Sequence, residues 1–197
     1  WDAALGAAFA GVDDPDDRAA AAEALGFDLT TGEVVPGSAF IAGTPEEMTE
    51  LIGEIVDMRA FGLRLVEAAE DTLMEMAGAS ELLGELADRG VPTAVATNDA
   101  GWLAARQMEQ LGWTDHFCAI VGSDAGHGAK PEPGMVHAAA RACGLDASAV
   151  VMVGDSRHDL IAARAAGALA VMIGDQADAI EHADVRISSL AEVARLV

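Results

Sequence analysis

Two aspartates follow a short apolar run in the last third of the chain. The run covers residues 150–153; Gly154 and Asp155 come directly after it, and Asp159 lies four positions further on. In a helix that starts here the two carboxylates are about one turn apart, where they repel each other, and capping accounts for only one of them. Carboxylate oxygens are the donors that a hard divalent cation prefers. We therefore predict that Asp155 and Asp159 form a Mg²⁺ site.

The chain has a single lysine, Lys130, in the segment Gly128-Ala129-Lys130-Pro131, whereas the other ten basic side chains are arginines. A lysine is a compact point charge, and an arginine is a planar fork. Lys130 is therefore a candidate for neutralising a phosphate or a nucleophilic carboxylate, and the proline keeps the loop extended in front of the next helix. The alternative is that Lys130 is an ordinary surface lysine.

A hydroxyl and an amide follow a second apolar run. Residues 93–96 form this run, and Thr97 and Asn98 come next. Both side chains can hydrogen-bond an anionic oxygen above the end of a strand. The alternative for Thr97 is that it caps the helix that follows.

From about Gly78 onwards, short apolar runs alternate with amphipathic stretches. We predict strands at 93–96, 117–121, 150–153 and 168–173, and helices at 80–89, 101–111, 133–143, 160–166 and 190–196. This alternation indicates βα units around a parallel sheet covered on both faces, which is a doubly wound, Rossmann-like α/β fold. Ligands bind at the carboxyl ends of the strands in such sheets. The three candidate groups should therefore meet at one edge of the sheet.

The first part of the chain, to about Ala77, has a helical pattern instead. We predict helices at 2–10, 14–25 and 63–76, and a loop-rich segment at 31–43. A further helix begins at Thr44, where a hydroxyl cap, a proline and a glutamate three residues after the cap form a typical helix start. We therefore predict an all-helical domain over residues 1–77 and an α/β core over residues 78–197.

The composition limits the classes of partner. The net charge of −22 disfavours nucleic acid and anionic membrane surfaces, because like charges repel. No apolar run approaches the roughly 20 residues that a membrane-spanning helix needs. The two cysteines, Cys118 and Cys143, are too few for a disulfide framework and have no histidine at metal-site spacing, so we expect a protein of the reducing cytoplasm.

Together the three groups resemble motifs of the haloacid dehalogenase (HAD) superfamily, in particular its phosphoglycolate phosphatase-like members with a helical cap. Thr97-Asn98 is similar to the second motif of that superfamily, Lys130-Pro131 to the third, and Gly154-Asp155-Ser156-Arg157-His158-Asp159 to the fourth. The order agrees, as do the separations of 33 residues from Thr97 to Lys130 and 25 from Lys130 to Asp155. The resemblance extends from the cap region to the last predicted helix.

The resemblance implies a role for each group. An aspartate on the first strand of the core attacks phosphorus, and water hydrolyses the resulting aspartyl-phosphate. Thr97 and Asn98 would bind the phosphoryl group, and Lys130 would offset the charge of nucleophile and phosphate. Asp155 would bind Mg²⁺, with Asp159 binding it directly or through water.

The resemblance also implies a role for the helical domain as a cap that closes over the substrate. The segment Gly43-Thr44-Pro45 resembles the cap loop that faces the active site in this subfamily. Gly43 would then contact the ligand through its backbone. The alternative is that this segment is an ordinary helix-start turn.

The first motif of the superfamily, Asp-x-Asp-Gly-Thr after an apolar strand, is absent. The nearest match is Phe27-Asp28-Leu29-Thr30-Thr31-Gly32, which lacks the second aspartate and follows a helix-like stretch instead of a strand. We therefore expect the nucleophile upstream of residue 1, with the chain starting just past the motif. Without that motif, the 197 residues should be inactive.

The leading functional hypothesis is a Mg²⁺-dependent phosphatase that acts on a small phosphorylated metabolite similar to 2-phosphoglycolate. A phosphosugar mutase of the β-phosphoglucomutase type shares the fold and the metal site and is one alternative. A non-catalytic relative that binds phosphorylated metabolites is another. Haloacid dehalogenation is disfavoured, because that reaction needs no metal. The pattern makes no prediction of the oligomeric state.

Overall fold

The computed structural model describes residues 1–197, with the side chain of Ala42 excepted. The chain divides into two compact units, Trp1–Met74 and Glu75–Val197. We call them the helical unit and the α/β unit. The sequence pattern put the boundary between residues 77 and 78. No helix among the described residues has the length and apolar character to cross a membrane.

The helical unit contains helices α1 (Asp2–Ala10), α2 (Pro15–Leu25), α3 (Ala39–Ala42), α4 (Pro45–Ile52) and α5 (Met58–Asp71). Helix α1 packs along α5. The core between them is aromatic: the ring of Phe9 lies 5.4 Å from that of Phe27 and 5.1 Å from that of Phe61, measured between centroids. The unit therefore has its own hydrophobic core.

Side-chain caps fix where helices α4 and α5 start. At the predicted start of α4, Glu47 N donates to Thr44 Oγ1 (3.3 Å) and Thr44 N donates to Glu47 Oε2 (2.8 Å), which is a complete capping box. Asp57 accepts hydrogen bonds from the backbone N–H groups at the start of α5. The last helix of this unit therefore covers Met58–Asp71, earlier than the predicted range 63–76.

The sequence pattern did not predict two features of the helical unit: helix α3, which lies in the segment 31–43 that was predicted as loop-rich, and a β-hairpin. Strands β1 (Phe27–Asp28) and β2 (Glu33–Val34) pair antiparallel. Asp28 Oδ1 accepts hydrogen bonds from Thr30 N (2.7 Å) and Thr31 N (3.2 Å), and these bonds lower the pKa of its carboxyl group. The segment that partly matches the first motif is thus a hairpin turn, in which the aspartate stabilises the backbone.

The α/β unit alternates helices and parallel strands. Its elements are α6 (Ala79–Asp88), β3 (Thr93–Ala96), α7 (Gly101–Gln110), β4 (Phe117–Val121), α8 (Gly134–Ala142), β5 (Val151–Gly154), α9 (Arg157–Ala166), β6 (Leu169–Ile173) and β7 (Val185–Ile187). The last predicted helix is a 3₁₀ helix, Leu190–Arg195, and β7 was not predicted. Strand β3 pairs with β4, and β5 pairs with β6, which pairs with β7.

A cavity of about 620 Å³ is lined by residues of both β3 and β5. Its walls are mainly apolar and also include α6, α8 and the end of the 3₁₀ helix. All residues of β3 and β5 are only half-buried, whereas the pattern predicted strands buried on both faces. The two strands therefore present apolar surface to a space that no described residue fills.

The aromatic core of the helical unit can be tested by substitution. Phe9 is fully buried, so Phe9→Ala should cost about 3–5 kcal/mol of unfolding free energy, because it removes the ring and leaves a cavity. Urea denaturation followed by circular dichroism measures this loss. Leu63→Ala, at a side chain that is 65% exposed on α5, is the control and should change stability by less than about 0.5 kcal/mol. Equal losses in the two variants would contradict this description of the core.

Candidate active site

Lys130 is held by contacts with two separate parts of the α/β unit. Its Nζ donates to the carbonyl oxygen of Ala96, the last residue of β3, at 2.9 Å. The same nitrogen lies 2.6 Å from Asp159 Oδ1, in the first turn of α9. The side chains of Lys130 and Asp159 are only 12% and 10% exposed. Lys130 is thus a partly buried, paired cation at the carboxyl end of β3 and not an ordinary surface lysine.

The backbone of Lys130 is bonded by the side chain of Asn98. Lys130 N donates to Asn98 Oδ1 (2.8 Å), and Asn98 Nδ2 donates to the carbonyl oxygen of Lys130 (3.0 Å). Asn98 is buried, and the Lys130–Pro131 peptide bond is cis. The predicted phosphate ligand Asn98 therefore uses its amide group to hold the lysine loop.

Asp159 has a second structural task as the third residue of α9. Its Oδ2 accepts hydrogen bonds from Ser156 N (3.1 Å) and Ser156 Oγ (2.7 Å), and Asp159 N donates to Ser156 Oγ (3.3 Å). This capping box starts α9. Gly154 is required beside it, because a Cβ at that position would overlap the side chain of Asp159.

The two predicted metal ligands differ in their surroundings. Asp155 follows the last residue of β5 and is exposed, whereas Asp159 is buried and both of its carboxylate oxygens are bonded to Lys130 or Ser156. Among the described residues, no group of three or more His, Cys, Asp or Glu side chains is arranged to hold a metal ion. Mg²⁺ keeps several waters and often takes only one or two carboxylates from the protein. Asp155 thus offers an exposed carboxylate of the kind that Mg²⁺ accepts, whereas both carboxylate oxygens of Asp159 already have protein partners.

Thr97 lies directly after β3, and its hydroxyl group bonds within its own loop. Thr97 Oγ1 accepts a hydrogen bond from Asp99 N (3.1 Å) and donates to Asp99 Oδ2 (3.2 Å). The next helix, α7, begins after Ala100, which is its N-cap residue. Thr97 therefore does not cap that helix, and its hydroxyl group belongs to the turn at the end of the strand.

Asp99 is a residue of the site that sequence reasoning missed. Burial raises the pKa of its carboxyl group, and the hydrogen bond from Thr97 and the charge of Lys130 act in the opposite direction. The sequence signal was present, since Asp99 directly follows two candidate residues. Its burial, however, depends on how the loops fold. The site thus contains an acid within hydrogen-bond distance of Thr97.

The loop that carries Thr97, Asn98 and Asp99 is bonded to the loop that follows β4. Ser123 N donates to the carbonyl oxygen of Asp99 (3.0 Å), and Gly101 N donates to Asp124 Oδ1 (2.7 Å). A Cβ at Gly122 would overlap the backbone of Gly101, so only glycine permits this approach. The two loops therefore support each other.

Gly43 lies in the helical unit. It is the C-cap residue of α3, its N–H donates to Ala39 O (2.9 Å), and it directly precedes Thr44, the N-cap residue of α4. Gly43 thus links two helices, in agreement with a helix-start turn. Its contact with a ligand stays a prediction.

Comparison with known proteins identifies the family. The family model for haloacid dehalogenase-like hydrolases matches residues 3–167. The chain belongs to this haloacid dehalogenase-like hydrolase family. The match includes the helical unit and the loops that carry Thr97, Lys130 and Asp155. The resemblance found in the three motifs is therefore confirmed.

Individual relatives of this HAD chain are phosphatases by name. It is 47% identical over 89 residues to phosphoglycolate phosphatase of Neisseria meningitidis, which covers 45% of the chain and 38% of that protein. It is 36% identical over 137 residues to phosphoglycolate phosphatase of Chromobacterium violaceum, which covers 68% of the chain and 62% of that protein. The chain thus spans less than two thirds of the length of either relative.

A crystal structure supports the fold assignment for this HAD chain. A protein of Haemophilus somnus, described as a predicted phosphoglycolate phosphatase, matches with a TM-score of 0.70 and 20% identity, over 98% of this chain and 88% of that one. At this identity the likeness concerns the fold alone. It confirms the predicted Rossmann-like α/β class.

The pairing of Lys130 with Asp159 can be tested by removing the cation. Lys130→Met leaves a carboxylate buried without its partner, so the free energy of unfolding should fall by about 3 kcal/mol in urea denaturation. Arg164→Met is the matched control. It breaks a 4.0 Å pair with Asp184 whose side chains are 52% and 35% exposed, so the loss should be below about 1 kcal/mol. Similar losses for both variants would mean that the Lys130 pair has no special energetic role.

The half-buried carboxyl group of Asp99 should make the stability of the protein depend on pH. Because its pKa is raised in the folded protein, Asp99 lowers stability as pH rises from its unfolded pKa through its folded pKa, and the loss persists at higher pH. Asp99→Asn removes the charge and keeps an oxygen that accepts the Thr97 hydrogen bond. The variant should therefore unfold at a higher temperature than the wild type at pH 7, and the difference should shrink at pH 3–4, roughly the usual carboxyl range. A variant that is less stable at pH 7 would contradict this.

Proposed function

We propose that the protein is a Mg²⁺-dependent phosphatase that hydrolyses a small phosphate monoester of the 2-phosphoglycolate type through an aspartyl-phosphate. The observation that carries this proposal is the position of Lys130, a partly buried cation at the carboxyl end of β3 that is paired with an acid at the start of α9. The names of the bacterial relatives support the substrate class. The location in a reducing cytoplasm stays a prediction.

Each residue has a chemical task in the proposed reaction. Lys130 offsets the negative charge that phosphate and nucleophile bring together, in a site where burial strengthens its field. Thr97 turns its hydroxyl group from Asp99 to a phosphoryl oxygen when the substrate binds. The nucleophilic carboxylate attacks phosphorus, the alcohol oxygen leaves with the bonding electrons and takes up a proton, and water then releases phosphate from the acyl phosphate.

The proposed metal site uses Asp155 directly and Asp159 through water. The exposed carboxylate of Asp155 fits this task, and the bonds of Asp159 to Lys130 and Ser156 fix its orientation. When bound, Mg²⁺ supplies positive charge that reduces the repulsion between the nucleophile and the phosphate.

The nucleophile, we infer, lies on a further strand between β3 and β5. The apolar cavity supports this, because it is lined by both strands and neither strand has a hydrogen-bonded neighbour on that side among the described residues. A parallel strand in this space would form hydrogen bonds with the free edges of β3 and β5, at the usual spacing of about 4.8 Å between neighbouring strands. Its carboxyl end would lie at the same edge of the sheet as Ala96 and Gly154, close to Lys130. The segment that supplies it would lie outside the 197 residues.

Phosphate release tests the proposal. The full-length protein should release phosphate from a panel of monoesters that includes 2-phosphoglycolate, and only with Mg²⁺. Asp155→Asn should reduce this release at least about a hundredfold, because it weakens the direct ligand. Asp146→Asn is the control, since this exposed aspartate precedes β5 at its amino end and should retain wild-type activity.

Three results would contradict the proposal or a part of it. Undiminished Mg²⁺-dependent release by Asp155→Asn would remove the metal site. Absence of release by the folded full-length protein, with phosphorylated metabolites still bound, would favour the non-catalytic relative. Conversion of one sugar phosphate isomer into another, without release, would favour the mutase.

A further inference from the structure

The chain contains one asparagine and one lysine, and the structure bonds them to each other twice. Asn98 and Lys130 are 32 positions apart, in the loops after β3 and before α8. The other ten residues of the Lys and Arg type are all arginines, and the sequence contains no other asparagine. The two residue types that the composition otherwise avoids therefore meet at the candidate active site.

The two hydrogen bonds hold the base of the Lys130 side chain. Asn98 Oδ1 accepts from Lys130 N, and Asn98 Nδ2 donates to Lys130 O, so one planar amide contacts both backbone groups of a single residue. The last residue of β3 holds the tip of the Lys130 side chain, because Ala96 O accepts a hydrogen bond from Lys130 Nζ. Residues 96–98 thus fix Lys130 at both ends.

Lys130 needs this support because its stem is flexible. A lysine side chain has about 2 kcal/mol of rotamer entropy, and its ammonium group has no preferred fork geometry to align it. The bond of 2.6 Å to Asp159 alone does not determine the path of the stem from the backbone. A fixed backbone leaves few rotamers that reach both Ala96 O and Asp159 Oδ1.

We propose that Asn98 is a positioning residue for Lys130: its side chain acts on the reaction by fixing the lysine and not by binding the phosphate itself. This inference rests on the proposed phosphatase function for its kinetic consequence. The amide group of asparagine carries an acceptor oxygen and a donor nitrogen in one plane, which an aspartate side chain of the same length does not. An aspartate keeps the acceptor for Lys130 N–H and loses the donor to Lys130 C=O.

A double-mutant cycle in the full-length protein separates the two roles. With p-nitrophenyl phosphate and Mg²⁺, Asn98→Ala should lower kcat about tenfold to a hundredfold, as the loss of an orienting partner does elsewhere. The same substitution in a Lys130→Ala background should then have little further effect, because the group that it positions is gone. Equal, additive losses in both backgrounds would overturn the proposal and make Asn98 an independent phosphate ligand.

Backbone hydrogen exchange gives a readout that does not depend on activity. Asn98→Ala should accelerate exchange of the Lys130 amide, whereas Asn98→Asp should leave it protected. Ser123→Ala is the matched control, because it removes a hydroxyl that donates to Asp99 O, in the loop that carries Asn98, and that makes no hydrogen bond to Lys130. We call the two hydrogen bonds between Asn98 and the Lys130 backbone the two-point clamp. Unchanged exchange in a folded Asn98→Ala protein would overturn this clamp. If no monoester were hydrolysed by the wild type, the proposed function would fail while the exchange result still decided the role of Asn98.

The aspartate variant provides a second kinetic test should the alanine variant not fold. Asn98→Asp keeps the size of the side chain and only one of its two bonds, so its kcat should lie below that of the wild type. Wild-type kcat in Asn98→Asp would show that the bond to Lys130 O has no function and would overturn the two-point clamp.

Discussion

The ion pair between Lys130 and Asp159 is the contact on which the geometry of the α/β unit depends. Strands β3 and β4 form one hydrogen-bonded group, and β5, β6 and β7 form another. The ammonium group bonds the end of β3 on one side and the first turn of α9 on the other. A charge that is this little exposed is stable only when its partners are in place, so the pair links the two groups of strands at the edge where chemistry is expected.

The same carboxylate connects helix capping with the site. Asp159 starts α9 through its capping box with Ser156 and bonds Lys130 with its other oxygen. The amino end of a helix favours negative charge, so helix and lysine hold this side chain from two directions. Because each task limits the rotamers open to the other, secondary structure and site geometry are coupled in one residue. A change that weakens the start of α9 therefore also changes the environment of Lys130.

Local sequence patterns predicted the elements that have clear local signals. The runs at β3, β4, β5 and β6 are apolar and bounded by glycine, proline or polar residues, and Thr44 carries a full capping signal. The hairpin β1–β2 was missed, because strands of two residues have no measurable periodicity. The rule that ligands bind at strand ends directed attention to the loops of Thr97, Lys130 and Asp155. It did not reveal the clamp of Asn98 or the burial of Asp99, since both depend on contacts between loops far apart in sequence.

The single lysine also gives the molecule an unusual chemical signature. Lys130 is the only side-chain amine in 197 residues, and it is paired and 12% exposed. Reagents that acylate amines need a free, deprotonated nitrogen, so they react with this side chain only in those molecules where the ion pair has opened. The extent of acylation at this position then reports how often the site opens, and no other lysine contributes a background. Because Lys130 is the single lysine, a lysine side chain labelled by an amine-reactive reagent in this chain lies in the candidate active site.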